Sequence, residues 1–61
     1  MVFLAILKNM NGEPDWAHPS ELNAVSKSAA ITMLLQNTDK QYIQGVYTVD
    51  EFNQIYHQAF R

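Results

Sequence analysis

The chain has no cysteine, only two glycines and two prolines, and four basic residues among 61. Without cysteine there is no disulfide staple and no thiolate ligand for a metal, and His18 and His57 are too distant in sequence to form a local ligand pair. The glycines, Gly12 and Gly45, stand far apart, which excludes a local phosphate-cradling loop. Lys8, Lys27, Lys40 and Arg61 are scattered and outnumbered by six acids, an arrangement contrary to the clustered cations of a nucleic-acid surface. No long apolar run is present: VFLAIL is far shorter than the roughly 18 residues that span a bilayer, and no basic leader precedes it. The expectation is a soluble intracellular protein that contacts neither membrane nor nucleic acid.

A chain of this size buries only about 60% of the surface its unfolded form exposes, which limits it to one small domain and makes self-association the remaining common stabiliser. Val2 to Leu7 is apolar at every position and contains branched Val2 and Ile6, predicting a strand covered on both faces, with a short buried helix as the alternative. NMNGEPDWAHPS clusters Asn11-Gly12, Pro14 and Pro19 and predicts an irregular connection. Ser20 is a candidate cap for a short helix over ELNAVSK. AAITMLLQ and QYIQGVYT, separated by NTDK, predict a hairpin, with Gly45 marking a bulge or a close backbone approach.

TVDEFNQIY carries the clearest signal. With Thr48 as N-cap, Glu51 occupies the third helical position and completes a capping box, while Tyr47 and Phe52 form a hydrophobic staple. Val49, Phe52, Ile55, Tyr56, Ala59 and Phe60 then share one stripe, Asn53 lies at its edge, and Asp50, Gln54, His57 and Gln58 face away. Asp50 and Glu51 fit the helix macrodipole better than acid/base chemistry. Trp16, in the irregular connection, is a candidate cover for a core edge or an interface anchor. No nucleophile stands beside a base in a recognisable context, so the expectation is a protein that is not an enzyme and needs no cofactor.

ITMLLQNTDKQYIQ, followed by DEFNQIY, resembles the small dimeric uracil-DNA glycosylase inhibitors encoded by Bacillus podophages. The resemblance runs from Ile31 to Tyr56 and is anchored by TMLLQ, KQY, Phe52 and Tyr56. It implies a DNA mimic in the host cytoplasm that occupies the enzyme's DNA groove, with an apolar pocket of the homodimer capturing the leucine otherwise inserted into the duplex. Carried over, Phe52 and Tyr56 line that pocket, with Tyr42, Gln44, Asp50, Glu51 and Asn53 completing the partner-contacting set. Gln44 and Asn53 stand where the family pattern is acidic, leaving Asp39, Asp50 and Glu51 to supply local negative potential. The family has a strand after its helix, and here Val2 to Leu7 is available to fill that place in the sheet.

The expected architecture is therefore a single α+β domain over residues 1–61, a small antiparallel sheet with a C-terminal amphipathic helix, forming a homodimer. Residues 1–29, outside the resemblance, supply an N-terminal strand and connection; residues 30–61 supply the hairpin and helix. Two rivals are a helix-turn-helix regulator, with SELNAVSKSAAITMLLQN as one long helix, and a homodimeric interaction module whose aromatic stripe builds only its own interface.

Overall fold

The computed structural model describes residues 1–59, the side chains of residues 1–58 among them. Phe60 and Arg61, and the side chain of Ala59, lie outside that range, so the far end of the expected stripe is not part of the description. The elements run β1 (Val2–Leu7), β2 (Ser20–Asn23), α1 (Lys27–Asn37), a 3₁₀ turn (Lys40–Tyr42), β3 (Ile43–Thr48) and α2 (Val49–Ala59). The architecture is α+β, with a three-stranded antiparallel sheet and two helices.

β1 is the central strand, in the order β2-β1-β3. Phe3 faces Leu22 on one side and Thr48 on the other; Ala5 faces Ser20 and Val46. Phe3 and Ala5 pack with Val46 against Ala30 and Leu34 of α1 to form the main core cluster. Ile6 is also fully buried but lies outside that cluster. On β3, Tyr47 projects opposite Val46 and meets Trp16, whose ring also lies beside Phe52 of α2. The sheet is thus covered by α1 on one face and by Trp16 and α2 on the other, which explains why β1 is apolar at successive positions instead of alternating.

Two expected elements are corrected. Residues 20–23 form an edge strand, not a capped helix: Leu22 turns toward the core while Glu21 and Asn23 are exposed, a period of two that only pairing with β1 makes productive. The helix cap lies further on, where the Ser26 side chain accepts from the Ala29 amide at 3.1 Å. The hairpin is also absent. AAITMLLQ lies within α1, and the antiparallel neighbour of β3 is β1. Ala29, Ala30, Met33, Leu34, Leu35 and Gln36 are strong helix formers, and they outweigh β-branched Ile31 and Thr32. The long helix of the regulator reading is likewise not formed, since residues 20–23 are strand and β3 separates α1 from α2.

The connection after β1 is irregular, as expected, and is organised by Asn9. Its side-chain oxygen accepts from the amides of Asn11 at 2.9 Å and Glu13 at 3.0 Å, while Gly12 takes a φ of 79° that side chains with a Cβ rarely adopt. Beyond it, the Asp15 amide donates to the Leu7 carbonyl at 2.9 Å, which directs the chain back across the sheet toward Trp16. No helix among the described residues is long and apolar enough to cross a membrane.

Candidate functional site

The start of α2 is fixed by reciprocal bonds. The Glu51 amide donates to the Thr48 hydroxyl at 3.1 Å, and the Thr48 amide donates to Glu51 Oε1 at 2.9 Å, a complete capping box. The same carboxylate oxygen receives the Lys27 ammonium at 2.7 Å, tying the first turn of α2 to the start of α1. The Lys27 hydrogen bond, followed by that from Thr48, holds the Glu51 carboxyl below the usual carboxylate range. Glu51 is half-exposed, but its charge is engaged within the chain.

From this anchored turn a run of aromatic rings extends. Trp16 lies 5.7 Å from Tyr47 and 6.3 Å from Phe52, centroid to centroid, and Phe52 lies 5.7 Å from Tyr56; all three pairs are tilted by 32 to 39°. Tyr56 meets the His57 ring edge-on at 6.5 Å. Trp16, Tyr47 and Phe52 are half-buried, whereas Tyr56 is 38% exposed. The tilted geometry at these separations adds a modest attraction to the area each ring buries. Trp16 bridges the Tyr47 and Phe52 positions of the expected staple.

Gly45 makes room for this arrangement. A Cβ there would stand 2.6 Å from the Tyr47 hydroxyl oxygen, so the Tyr47 ring lies directly over the strand. The register of β1 against β3 also shifts at this point: Ile6 pairs with Gly45 and Leu7 with Ile43, leaving Gln44 as the extra residue of a bulge. Of the two alternatives expected at Gly45, the bulge is present, and the close approach is made by the Tyr47 side chain instead of another backbone.

The residues singled out from the sequence separate into groups. Phe52 and Tyr56 join Trp16 and Tyr47 in the aromatic run. Asp50 and Asn53 are exposed on α2. Tyr42 ends the 3₁₀ turn and Gln44 is the second residue of β3, both at the opposite end of the strand from α2. Tyr42 is 42% exposed, and its carbonyl accepts from the Lys8 amide at 2.7 Å. The sequence marks Tyr47 only as a staple residue, and its ring partner Trp16 comes from a loop more than thirty residues away, a proximity that local periodicity does not encode.

On the α1 face, a groove of about 350 Å³ is lined by Ile31, Leu35, Lys40, Ile43, Gly45 and Val46. It is predominantly apolar and carries one charged side chain. Elsewhere, Asp15 and His18 form an exposed pair at 3.2 Å. No group of three or more His, Cys, Asp or Glu side chains able to hold a metal occurs among the described residues.

Comparison with known families, characterised proteins and solved structures returns no match: no family model fits the chain, and no characterised protein or solved structure is significantly similar to it.

Proposed function

We propose that the chain is a protein inhibitor of a bacterial host's uracil-DNA glycosylase, acting in the host cytoplasm by stoichiometric occlusion of the enzyme's DNA groove. It catalyses no reaction in this role and uses no cofactor. The carrying observation is the aromatic run from Trp16 through Phe52 to the exposed ring of Tyr56, beside the acidic first turn of α2. An apolar surface on a helix whose first turn also exposes Asp50 suits a basic groove that presents an inserted aliphatic side chain, because charge steers the encounter and desolvated apolar contact slows dissociation. The resemblance of residues 31–56 to the phage inhibitors names the target.

The active form is a homodimer. Val49 and Tyr56 remain exposed along α2, and pairing two such faces would enlarge the aromatic surface into a shared pocket. In a module that only self-associates, the paired faces would leave no open pocket between them. The test is uracil excision from a labelled oligonucleotide, titrated with the protein. Inhibition that saturates at a fixed stoichiometric ratio supports the proposal; full activity at tenfold excess of a protein shown to be dimeric by sedimentation equilibrium refutes it and favours the interaction module.

A further inference from the structure

β3 has β1 along one edge and, among the described residues, no strand along the other. An edge of this kind presents backbone N–H and C=O groups to any strand that approaches, and natural sheets usually blunt it with charged side chains or proline. Ile43–Thr48, IQGVYT, has neither. The bulge at Gln44 occupies the beginning of the strand and leaves Gly45 to Thr48 regular.

α1 packs against β3 from the face of the sheet that it covers. Its Ile31 and Leu35, 40% and 47% exposed, form one wall of the apolar groove, and Ile43, Gly45 and Val46 of β3 form the other. The only charged side chain lining the groove is that of Lys40, three residues before β3 begins. Among the described residues Lys40 takes part in no ion pair. A volume of about 350 Å³ lies at the small end of ligand sites, enough for one or two aliphatic side chains and too little for a folded surface.

We infer that this groove binds an extended peptide, added antiparallel to β3, whose aliphatic last residue rests against Ile31, Leu35 and Ile43 and whose C-terminal carboxylate meets Lys40. A helix beside an edge strand, with an apolar floor between them, is the arrangement in which strand addition supplies main-chain hydrogen bonds and alternate side chains supply specificity. The direction follows from the position of the charge. A peptide running opposite to β3 reaches the beginning of that strand with its C-terminus, where Lys40 stands, and every existing pairing in the sheet is antiparallel. On a chain of net charge −2, a carboxylate is favoured only where a cation is locally available. The site is separate from the aromatic run on the other face of the sheet and does not depend on the inhibitor reading.

The experiment selects hexapeptides with free C-termini from a display library against the full chain. Enriched sequences are then measured by fluorescence anisotropy as the free acid and as the C-terminal amide. Sequences ending in an aliphatic residue should be enriched, and amidation should weaken binding about tenfold, equivalent to about 1.4 kcal/mol. Lys40→Gln should weaken the acid by a similar factor and leave the amide unchanged, while Leu35→Ala, at an exposed position that spares the fold, should weaken both. Bound peptide should shift the backbone amide resonances of Gly45 to Thr48. The inference is overturned if no sequence is enriched, if acid and amide bind equally, or if the shifted resonances lie on α2. It is also overturned if Leu35→Ala dissociates a peptide-free dimer, because a second copy would then occupy the edge.

Discussion

α1 and α2 each run for 11 residues, yet α1 drives Ala30 and Leu34 into the core while α2 has no fully buried side chain among residues 49–58. α1 has neither an acid in its first turn nor a base in its last, and its terminal stabilisation rests on the Ser26 cap. α2 begins with Asp50, Glu51 and a complete capping box, and its Phe52 ring packs on Trp16, which in turn packs on Tyr47 of β3. One helix is thus held chiefly by buried aliphatic area and the other by its terminus and a partly wet aromatic surface. The difference assigns labour: the helix that can be perturbed without emptying the core is the one that presents the candidate site.

The largest effect expected from this division is at Leu34. Its truncation to alanine removes a side chain only 7% exposed from the cluster with Phe3, Ala5 and Val46 and should cost about 3 kcal/mol. For a domain of this length that is much of the total stability, so urea denaturation should show a shifted midpoint or an unfolded chain. A loss below about 1 kcal/mol would mean that α1 is not the principal lid of the core.

Tyr56→Ala should separate binding from folding. The ring is partly exposed and packs on Phe52, so the variant should retain its circular dichroism, and sedimentation equilibrium then tells a lost dimer from a lost contact with the enzyme. Inhibition should nevertheless weaken by about 2 kcal/mol, roughly thirtyfold, as for an interface hot spot. Phe52→Ala, at a half-buried position, should reduce both stability and inhibition and is the less informative variant. Inhibition by a folded Tyr56→Ala protein equal to that of the parent would remove the candidate site from α2.

Gly45→Ala tests how the aromatic run is seated. The added methyl collides with the end of the Tyr47 ring, a movable side chain, so the strand should survive while Tyr47 swings away from Trp16. The cost should be about 1 kcal/mol, accompanied by a changed tryptophan emission maximum. An unchanged spectrum would show that Tyr47 and Trp16 accommodate the methyl together.

What could be seen in the sequence follows the same physical lines. β1, β3 and the start of α2 were legible because six consecutive apolar residues, a β-branched aromatic run and a capping box are local signals. The segment from Ser20 to Asn37 was not. A strand of four residues is too short to establish a period, and Leu22 acquires its meaning only opposite Phe3, nineteen positions earlier. α1 is apolar on more than the face it buries, since Ile31, Met33 and Leu35 remain exposed, so its residues resemble a strand as readily as an amphipathic helix. Phe52 and Tyr56 could be paired from their spacing, but their continuation through Trp16 and Tyr47 depends on the fold. The α1–β3 groove exists only because AAITMLLQ is helical and β3 is left at the sheet edge.

The smallest expected effect concerns the link between the helices. Glu51 has a folded-state pKa below its ordinary 4.5, chiefly because Lys27 donates to it and secondarily because the Thr48 amide does. A depressed carboxylate contributes its stabilisation in full above the ordinary value and loses it as pH falls through the lowered one. Both partners are nearly half-exposed, so water and salt screen the pair and its effect should be local. Amide hydrogen exchange, expressed as protection factors to remove the intrinsic pH dependence, should show Asn53 to Gln58 losing protection below about pH 4.5 while Ile31 to Asn37 keep theirs. Glu51→Gln should reproduce the acid behaviour at neutral pH, because it retains a side-chain oxygen for the Thr48 amide but loses the charge that holds Lys27. If both helices lost protection together, the carboxylate would be supporting the whole fold, and the contrast between a core-held α1 and a terminus-held α2 would not stand. If α2 alone loosened, the pH at which it did so would measure how strongly Lys27 holds that first turn in place.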